Sequence, residues 1–167
     1  MIRLVIKYGI MFISLILAQV LILNQVRFIG FVNPYIYILF IVLLPLSTPR
    51  YILLILSFFI GLVVDVFLNS LGVHAAASVL IAYLRPYIIR VISNREDDRS
   101  DYPGLYQNTF GWFVLYVTIM VLLHHLLLFY LEVFSFSRFF VTLGRALISS
   151  LFSIFIIVLS QFLVFRD

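Results

Sequence analysis

Long hydrophobic runs separated by short polar breaks make up nearly the whole of this chain. An α-helix crosses the hydrocarbon core of a bilayer with about 20 mainly apolar residues. The runs therefore predict an all-α fold, a polytopic integral membrane helical bundle of about six transmembrane helices, in a single transmembrane domain, 1–167. We place the spans at about residues 4–23, 35–47, 51–69, 72–92, 110–131 and 138–165.

The first run has basic residues at its front, Arg3 and Lys7, as a secretory signal peptide would. The apolar stretch is about long enough to span, however, and no small-x-small cleavage site follows it. We therefore interpret it as an uncleaved first span.

The second run is shorter than a span, because residues 35–46 comprise 12 positions. Pro34 fits the first turn of a helix, where its missing N–H is harmless, and Pro45 and Pro49 close the run. A tilted helix protected by its neighbours, a re-entrant piece and a span in a locally thinned bilayer all suit this length. We favour a short span, because the charge pattern then agrees with the topology.

The composition narrows the class of protein further. Hydrophobic residues make up 65% of the chain and charged residues 11%, with a mean hydropathy of +1.22, whereas soluble domains hold about 25% charged residues. The sequence contains no cysteine, so disulfides, thiolate metal ligands and cysteine nucleophiles are excluded. The net charge of +4 does not indicate nucleic-acid binding, because the arginines are spread between the helices and form no basic stripe.

Lysine and arginine predict the orientation, because they collect in cytoplasmic loops. With six spans, both termini share one side, and most of the basic residues lie on that side or next to it. We therefore predict that both termini and loop 93–108 are cytoplasmic. The basic residues of that side are Arg3, Lys7, Arg50, Arg85, Arg90, Arg95, Arg99 and Arg166, whereas Arg27 and Arg138 lie on the other side and Arg145 just inside it.

Two features of the predicted cytoplasmic side bear on its structure and its contacts. Loop 93–108 is the one extended polar stretch of the sequence, and it is either a solvated loop or a docking surface for a cytoplasmic partner. Arg85, near the end of the fourth run, can snorkel to the headgroups.

Asp65 is the only carboxylate inside a long apolar run. A charge at membrane depth costs about 2.5–3.5 kcal/mol on insertion scales, so such a residue usually faces the protein interior or water and has a partner. Gly61 lies four residues earlier, on the same helical face, where a small residue lets a neighbouring helix approach closely. Asp65 is either a structural buried acid or a residue that handles a ligand or an ion.

The other intramembrane polar residues are predicted to share the depth of Asp65, in the outer half of the bilayer. Because polar groups in hydrocarbon are costly, we expect them to converge. They either hold the helices together by hydrogen bonds or line a polar cavity open to the outside, with Arg145 as the expected partner of Asp65. The cluster comprises Gln19, Asp65, His74, His124, its neighbour His125, and Arg145.

Enzyme and metal chemistry have little support in the sequence. His124 and His125 are adjacent, so they point about 100° apart on a helix and do not easily face one ion. No serine, threonine or cysteine lies in a nucleophile context, and neither a P-loop nor an H-E-x-x-H motif is present. We predict a non-enzymatic protein with no metal and no cofactor.

The stretch 58–72, read FFIGLVVDVFLNSLG, carries a resemblance to a known family. A short apolar second segment after a proline, then F-x-x-G-L-x-x-D, then a glycine, resembles the rod shape-determining protein MreD family, and the AYLRP stretch at 82–86 adds modest support. The motif residues here are Phe58, Gly61, Leu62, Asp65 and Gly72.

The resemblance implies a multi-pass protein of the bacterial inner (cytoplasmic) membrane that belongs to the cell-elongation machinery. Its implied partners are the bitopic membrane protein MreC and, through the complex, the MreB filament and the peptidoglycan synthases, with the lipid bilayer around it and no nucleic acid. It also implies a fold similar to the substrate-binding subunits of energy-coupling-factor transporters.

Two functions therefore remain open. The first is a scaffold that binds MreC, with a candidate partner-helix face of small residues at Ala75, Ser78 and Ala82. The second is a small-molecule, vitamin-type substrate-binding transporter subunit, which the size, the number of spans and the outward polar cluster would permit.

Overall fold

The computed structural model describes residues 2–25, 32–93, 101–134 and 138–163. Within these ranges the chain forms an all-helical bundle. Helix α1 (Ile2–Leu17) continues directly into a π-helical segment, Ala18–Leu23. The remaining helices are α2 (Ile38–Leu43), α3 (Arg50–Leu68), α4 (Val73–Ile92), α5 (Phe110–Val133) and α6 (Phe139–Leu163).

Five of these helices are long and apolar enough to cross a membrane. They are Ile2–Leu23, Arg50–Leu68, Val73–Ile92, Phe110–Val133 and Phe139–Leu163. The predicted all-α membrane bundle is therefore confirmed, and its first, third, fourth, fifth and sixth runs each form a helix of spanning length.

The second run is not a helical span of the predicted length, because its helix comprises 6 residues. Pro34 does not open that helix, which begins four residues later. Residues 38–42 are nevertheless almost completely buried, so this run forms the centre of the bundle rather than one of its outer helices. In that position its non-helical backbone is sheltered from lipid, which is the condition under which irregular structure is tolerated at membrane depth.

The second run passes from one end of the bundle to the other. At its start, the carbonyl of Pro34 accepts a hydrogen bond from Gln19, near the end of the first span. At its finish, the carbonyl of Leu43 accepts one from Tyr8, near the beginning of that span. The second run is therefore antiparallel to α1, as a sixth crossing requires.

Helices α3 and α4 form a close-packed hairpin. A Cβ atom placed on Gly61 would lie 2.5 Å from the Cα of Ala75 and 2.6 Å from the carbonyl oxygen of His74. The prediction that Gly61 permits a close helix contact is therefore confirmed. The connecting turn uses left-handed backbone conformations at Asn69 (φ 57°) and Gly72 (φ 82°), residue types that adopt them at low cost.

Arg85 anchors the C-terminal end of the second run. Its side chain is buried and donates hydrogen bonds to the carbonyls of Val42 and Leu44 and, through Nε, to the hydroxyl of Tyr116 at 2.9 Å. These carbonyls belong to the last turn of α2 and its C-cap, which lack helical partners. The expectation that Arg85 snorkels to the headgroups is therefore wrong.

The segment 101–108 packs back onto the same end of the bundle. The carbonyl of Asp101 accepts a hydrogen bond from Leu46 N–H at 2.8 Å, and Leu105 N–H donates to Gln161, near the end of α6. This part of loop 93–108 is thus partly integrated into the bundle, while residues 94–100 lie outside the described residues. The start of α1 and the end of α6 consequently lie at the same end of the bundle.

The predicted partner-helix face is buried within the chain itself. Ala75, Ser78 and Ala82 have exposed fractions of 3%, 0% and 1%. Small residues do permit close helix contacts here, as the Gly61–Ala75 contact illustrates, but the contacts are intramolecular. The assignment of this stripe to a partner helix is therefore wrong.

Candidate functional site

All members of the predicted polar cluster except Asp65 contact residues 33–37, read NPYIY, a short segment that precedes α2. We call it the 33–37 segment. Because most of it is non-helical, its backbone N–H and C=O groups need partners from elsewhere, and buried groups without partners are costly. Polar side chains of the first span and of α6 provide these partners.

Gln19 contacts the 33–37 segment from the first span. It is completely buried, its Nε2 donates to the carbonyl of Pro34 at 3.1 Å, and its Oε1 accepts from the N–H of Ile36 at 2.8 Å. Gln19 lies in the π-helical segment, and π-helical turns occur frequently at functional sites. Its role here is to hold the 33–37 segment by both its donor and its acceptor.

Serines of α6 hold the same segment from the opposite side. Ser149 Oγ accepts from the N–H of Asn33 at 3.2 Å, and Ser153 Oγ accepts from the N–H of Tyr35 at 2.9 Å. Ser153 Oγ also lies 3.0 Å from Nε2 of the buried His125. Because His125 Nδ1 lies 2.9 Å from the carbonyl oxygen of Val121, a neutral imidazole with hydrogen on Nδ1 donates to that carbonyl, and its Nε2 and the carbonyl of Ser149, at 2.9 Å, are the two acceptors for the single hydroxyl hydrogen of Ser153.

The two tyrosines of the 33–37 segment lie among the histidines. The hydroxyl of Tyr37 is 2.6 Å from Nε2 of His124, and both side chains are completely buried. The ring of Tyr35 has its centroid 5.2 Å from that of His74 and 5.3 Å from that of His125. Sequence reasoning placed the histidines at one depth but did not identify these tyrosines, which belong to the run read as an ordinary span.

Asp65 is joined to the beginning of α4. One carboxylate oxygen accepts from the hydroxyl of Ser70 at 2.5 Å and from the backbone N–H of His74 at 3.1 Å, and lies 3.0 Å from His74 Nδ1. The other accepts from the N–H of Ala75 at 2.8 Å. The carboxylate therefore supplies acceptors to N–H groups that a helix N-terminus leaves without partners. These contacts agree with the first of the two alternatives for Asp65, that of a structural buried acid.

The expected pairing of Asp65 with Arg145 is wrong. The guanidinium of Arg145 lies instead 3.4 Å from the carboxylate of Glu132 and 4.6 Å from the ring centroid of Phe129. With the Asn33 amide oriented to satisfy its surroundings, its oxygen accepts from Arg145 Nη2 at 2.8 Å. The two charged groups share a depth, but they lie in different contacts, and sequence reasoning did not anticipate Glu132 as the partner.

A cavity of about 350 Å³ opens at the end of the bundle where the 33–37 segment begins. Its polar side chains include the Glu132–Arg145 pair, and the 33–37 segment forms part of its wall. Of the predicted cluster, Arg145 lines the cavity, whereas Asp65, His74, His124 and Gln19 do not. The described residues that line it are Leu23, Asn24, Asn33, Pro34, Tyr35, Leu68, Glu132 and Arg145.

The site thus has two parts with different chemistry. The buried part, around Tyr35 and Tyr37, is a network of neutral hydrogen bonds and ring contacts that holds the helices together. The open part is a small polar cavity whose described wall residues include one cation, Arg145, and one anion, Glu132. Among the described residues, no group of three His, Cys, Asp or Glu side chains is arranged to hold a metal ion.

The arrangement defines a multi-pass helical membrane protein with a central short segment and a polar cavity at one end. No family model, no curated protein and no solved structure matches the chain.

Proposed function

We propose that this chain is a non-enzymatic scaffold of the bacterial cell-elongation complex in the inner membrane, with both termini in the cytoplasm. In this proposal it binds an MreC-like bitopic protein and, through the complex, acts with MreB and the peptidoglycan synthases. The proposal follows from the resemblance of residues 58–72 to the MreD family.

The observation that carries the proposal is that three residues of this motif act together where α3 meets the beginning of α4. Gly61 allows the backbone of α4 to approach, Asp65 accepts from its first N–H groups, and Gly72 adopts the left-handed conformation that begins it. Their spacing is therefore constrained by the geometry of the α3–α4 hairpin. A motif whose members depend on one another is a more specific point of resemblance than an apolar sequence of the same length.

A partner helix would contact the outward faces of the bundle, since the small-residue stripe of α4 is internal. Large apolar side chains are exposed on α1, α3 and α6, where lipid or a partner helix would cover them. Association inside a bilayer relies on close packing and hydrogen bonds rather than on the hydrophobic effect. The scaffold would thus act by contact along its helices.

Depletion of the protein in a rod-shaped host, combined with affinity purification from native membranes in mild detergent, tests this function. We expect depleted cells to become round and an MreC-like protein to copurify with the tagged chain. Rod shape retained after complete depletion would contradict the scaffold function, whatever copurifies.

A second candidate function, a small-molecule substrate-binding transporter subunit, is favoured by the cavity. Its volume of about 350 Å³ lies in the range of ligand sites, about 300–1,000 Å³. A ligand that binds the folded protein alone raises its melting temperature. Stabilisation of the purified protein by a vitamin-sized molecule would therefore support this candidate, and the absence of any stabilising ligand would count against it.

A further inference from the structure

We infer that the cavity at the outer end of the bundle binds a small zwitterion, with its carboxylate or phosphate on Arg145 and its ammonium group on Glu132. This inference rests on the second candidate function and specifies its ligand class, and it is independent of the scaffold proposal. The juxtaposition of one cation and one anion in the wall of one cavity is the observation behind it.

Arg145 is positioned as an anion-binding group. Its guanidinium lies over the ring of Phe129, and its Nη2 donates to the oxygen of Asn33 in the orientation that satisfies both residues. These two contacts fix the plane of the guanidinium. The Arg145 side chain is 28% exposed, so its terminal N–H groups can reach a carboxylate or phosphate, which a fixed planar guanidinium binds through two parallel hydrogen bonds.

Glu132 is only loosely paired with Arg145. The separation of 3.4 Å exceeds the roughly 2.7–2.9 Å that is typical of a charge-assisted hydrogen bond. The Glu132 side chain is 46% exposed, so its oxygens can accept from another donor. It also lies in the last turn of α5, and the C-terminal end of a helix favours a cation nearby. An ammonium group placed there would satisfy both the carboxylate and the helix end.

The balance of charge favours a ligand that is neutral overall. Among the described residues of the lining, Glu132 and Arg145 are the two that carry charge, and their charges cancel. A ligand with a single net charge would leave one charge without a counterpart in a partly enclosed site, which costs free energy. A zwitterion leaves none. The amides of Asn24 and Asn33 add neutral donors and acceptors to the same wall.

The same chemistry has two sources, a free amino acid or the headgroup of a lipid that reaches the cavity. Binding to the purified protein in detergent distinguishes them, with three zwitterions as probes: β-alanine, glycerophosphoethanolamine and dihexanoylphosphatidylethanolamine. Propionate and ethylamine are matched controls, because each carries one of the two charged groups of β-alanine. The measurements are the melting temperature and the dissociation constant by calorimetry.

We expect at least one zwitterion to bind, and propionate and ethylamine to bind at least tenfold more weakly than β-alanine if that is the ligand. Binding of β-alanine or glycerophosphoethanolamine indicates a soluble ligand, whereas binding of the short-chain lipid alone indicates a headgroup site. No binding by any zwitterion, or equal binding of the single-charge controls, overturns the inference. Stabilisation by a vitamin-sized molecule, with none by the zwitterions, overturns the ligand class but supports the second candidate function.

Variants then locate the site. Arg145→Gln and Glu132→Gln should each weaken binding of the zwitterion at least tenfold. Arg138→Gln removes an exposed arginine from the same end of the bundle and should leave binding unchanged. Equal weakening by Arg138→Gln, or unchanged binding in both cavity variants, would exclude this cavity as the site. The comparison of ligands on the unaltered protein remains decisive if a variant fails to fold.

Discussion

The carboxylate of Asp65 lies 3.0 Å from Nδ1 of His74 and also accepts from the backbone N–H of that histidine. The last helical turn of α3 is therefore bonded directly to the first turn of α4. The buried acid at membrane depth has a local partner, nine residues further along the chain, and does not need a charge from a distant helix.

Asp65→Ala should lower the free energy of unfolding by about 3 kcal/mol, because buried N–H groups of His74 and Ala75 lose their acceptors, each worth about 1–3 kcal/mol. The measurement is thermal or denaturant unfolding of the purified protein in detergent. A double-mutant cycle with His74→Ala should give a coupling of about 1 kcal/mol, within the range measured for side-chain hydrogen bonds in membranes.

The control is the cycle of Asp65→Ala with Arg145→Ala, which should be additive within about 0.5 kcal/mol because the two side chains share no contact. Strong coupling to Arg145 and none to His74 would contradict the bonding described here.

Gly61→Ala should destabilise the protein by about 1–3 kcal/mol or more, the usual cost of forcing extra volume into a packed interior. The new methyl group would meet the backbone of α4, which cannot move aside as a flexible side chain can. Gly144→Ala is the matched control, since nothing lies within 4 Å of a Cβ placed there. It should be neutral or stabilising by up to about 1 kcal/mol. Equal melting temperatures for the two variants would contradict the close contact.

Arg85→Leu should destabilise the protein by about 3 kcal/mol, because the carbonyls of Val42 and Leu44 lose a charged donor worth about 1.5–3 kcal/mol per bond. Arg85→Lys should recover part of this loss, since a single ammonium does not reproduce the fork that also reaches Tyr116. Arg90→Leu, an exposed arginine of the same helix, should change stability by less than about 0.5 kcal/mol. Similar losses at both arginines would refute the anchoring role of Arg85.

The double variant Ser78→Leu, Ala82→Leu should prevent accumulation of the folded protein, because both positions are buried between helices. Ala76→Leu, on the exposed side of α4, should accumulate normally. Membrane fractions probed with an antibody to a terminal tag give the measurement. Normal accumulation of the double variant would mean that this stripe is free to receive another helix after all.

A reporter enzyme that is active only outside the cytoplasm should be silent when fused after residue 167. The same reporter inserted after Phe134, with α6 and the rest of the chain retained behind it, should be active, because that position lies at the opposite end of the bundle from the end of α6. Activity after residue 167 together with silence after Phe134 would reverse the predicted orientation. Activity at both positions would mean that α6 does not cross the membrane.

The sequence predicted the helices well because apolar length is a local property. It also predicted that Gly61 is a contact point and included a structural buried acid among the two alternatives for Asp65, since the cost of bulk or charge at those positions does not depend on the rest of the fold. The partner of Asp65 was predicted wrongly because depth in the membrane does not specify the direction in which a side chain points around its helix. Arg145 shares the depth of Asp65, but its contacts are to Glu132 and Phe129.

The second run shows another reason why the structure differs from the sequence-based prediction. Its local pattern predicts a short helix that begins near Pro34, whereas the structure leaves residues 33–36 outside the helix. That conformation is stable because Gln19, Ser149 and Ser153 supply hydrogen-bond partners to the backbone. These partners come from the first and last helices, so no pattern within the run itself contains the information.

The serine contacts to the 33–37 segment also have a consequence for biosynthesis. The N–H groups of Asn33 and Tyr35 bond to side chains that are 116 and 118 residues later in the chain. While the ribosome is still making α5, these amides have no such acceptor, and unsatisfied amides in hydrocarbon are costly. The second run is therefore completed as a membrane-embedded element when α6 enters the bundle. A nascent chain that stops short of the last helix would present an unfinished crossing to the quality-control proteases of the membrane.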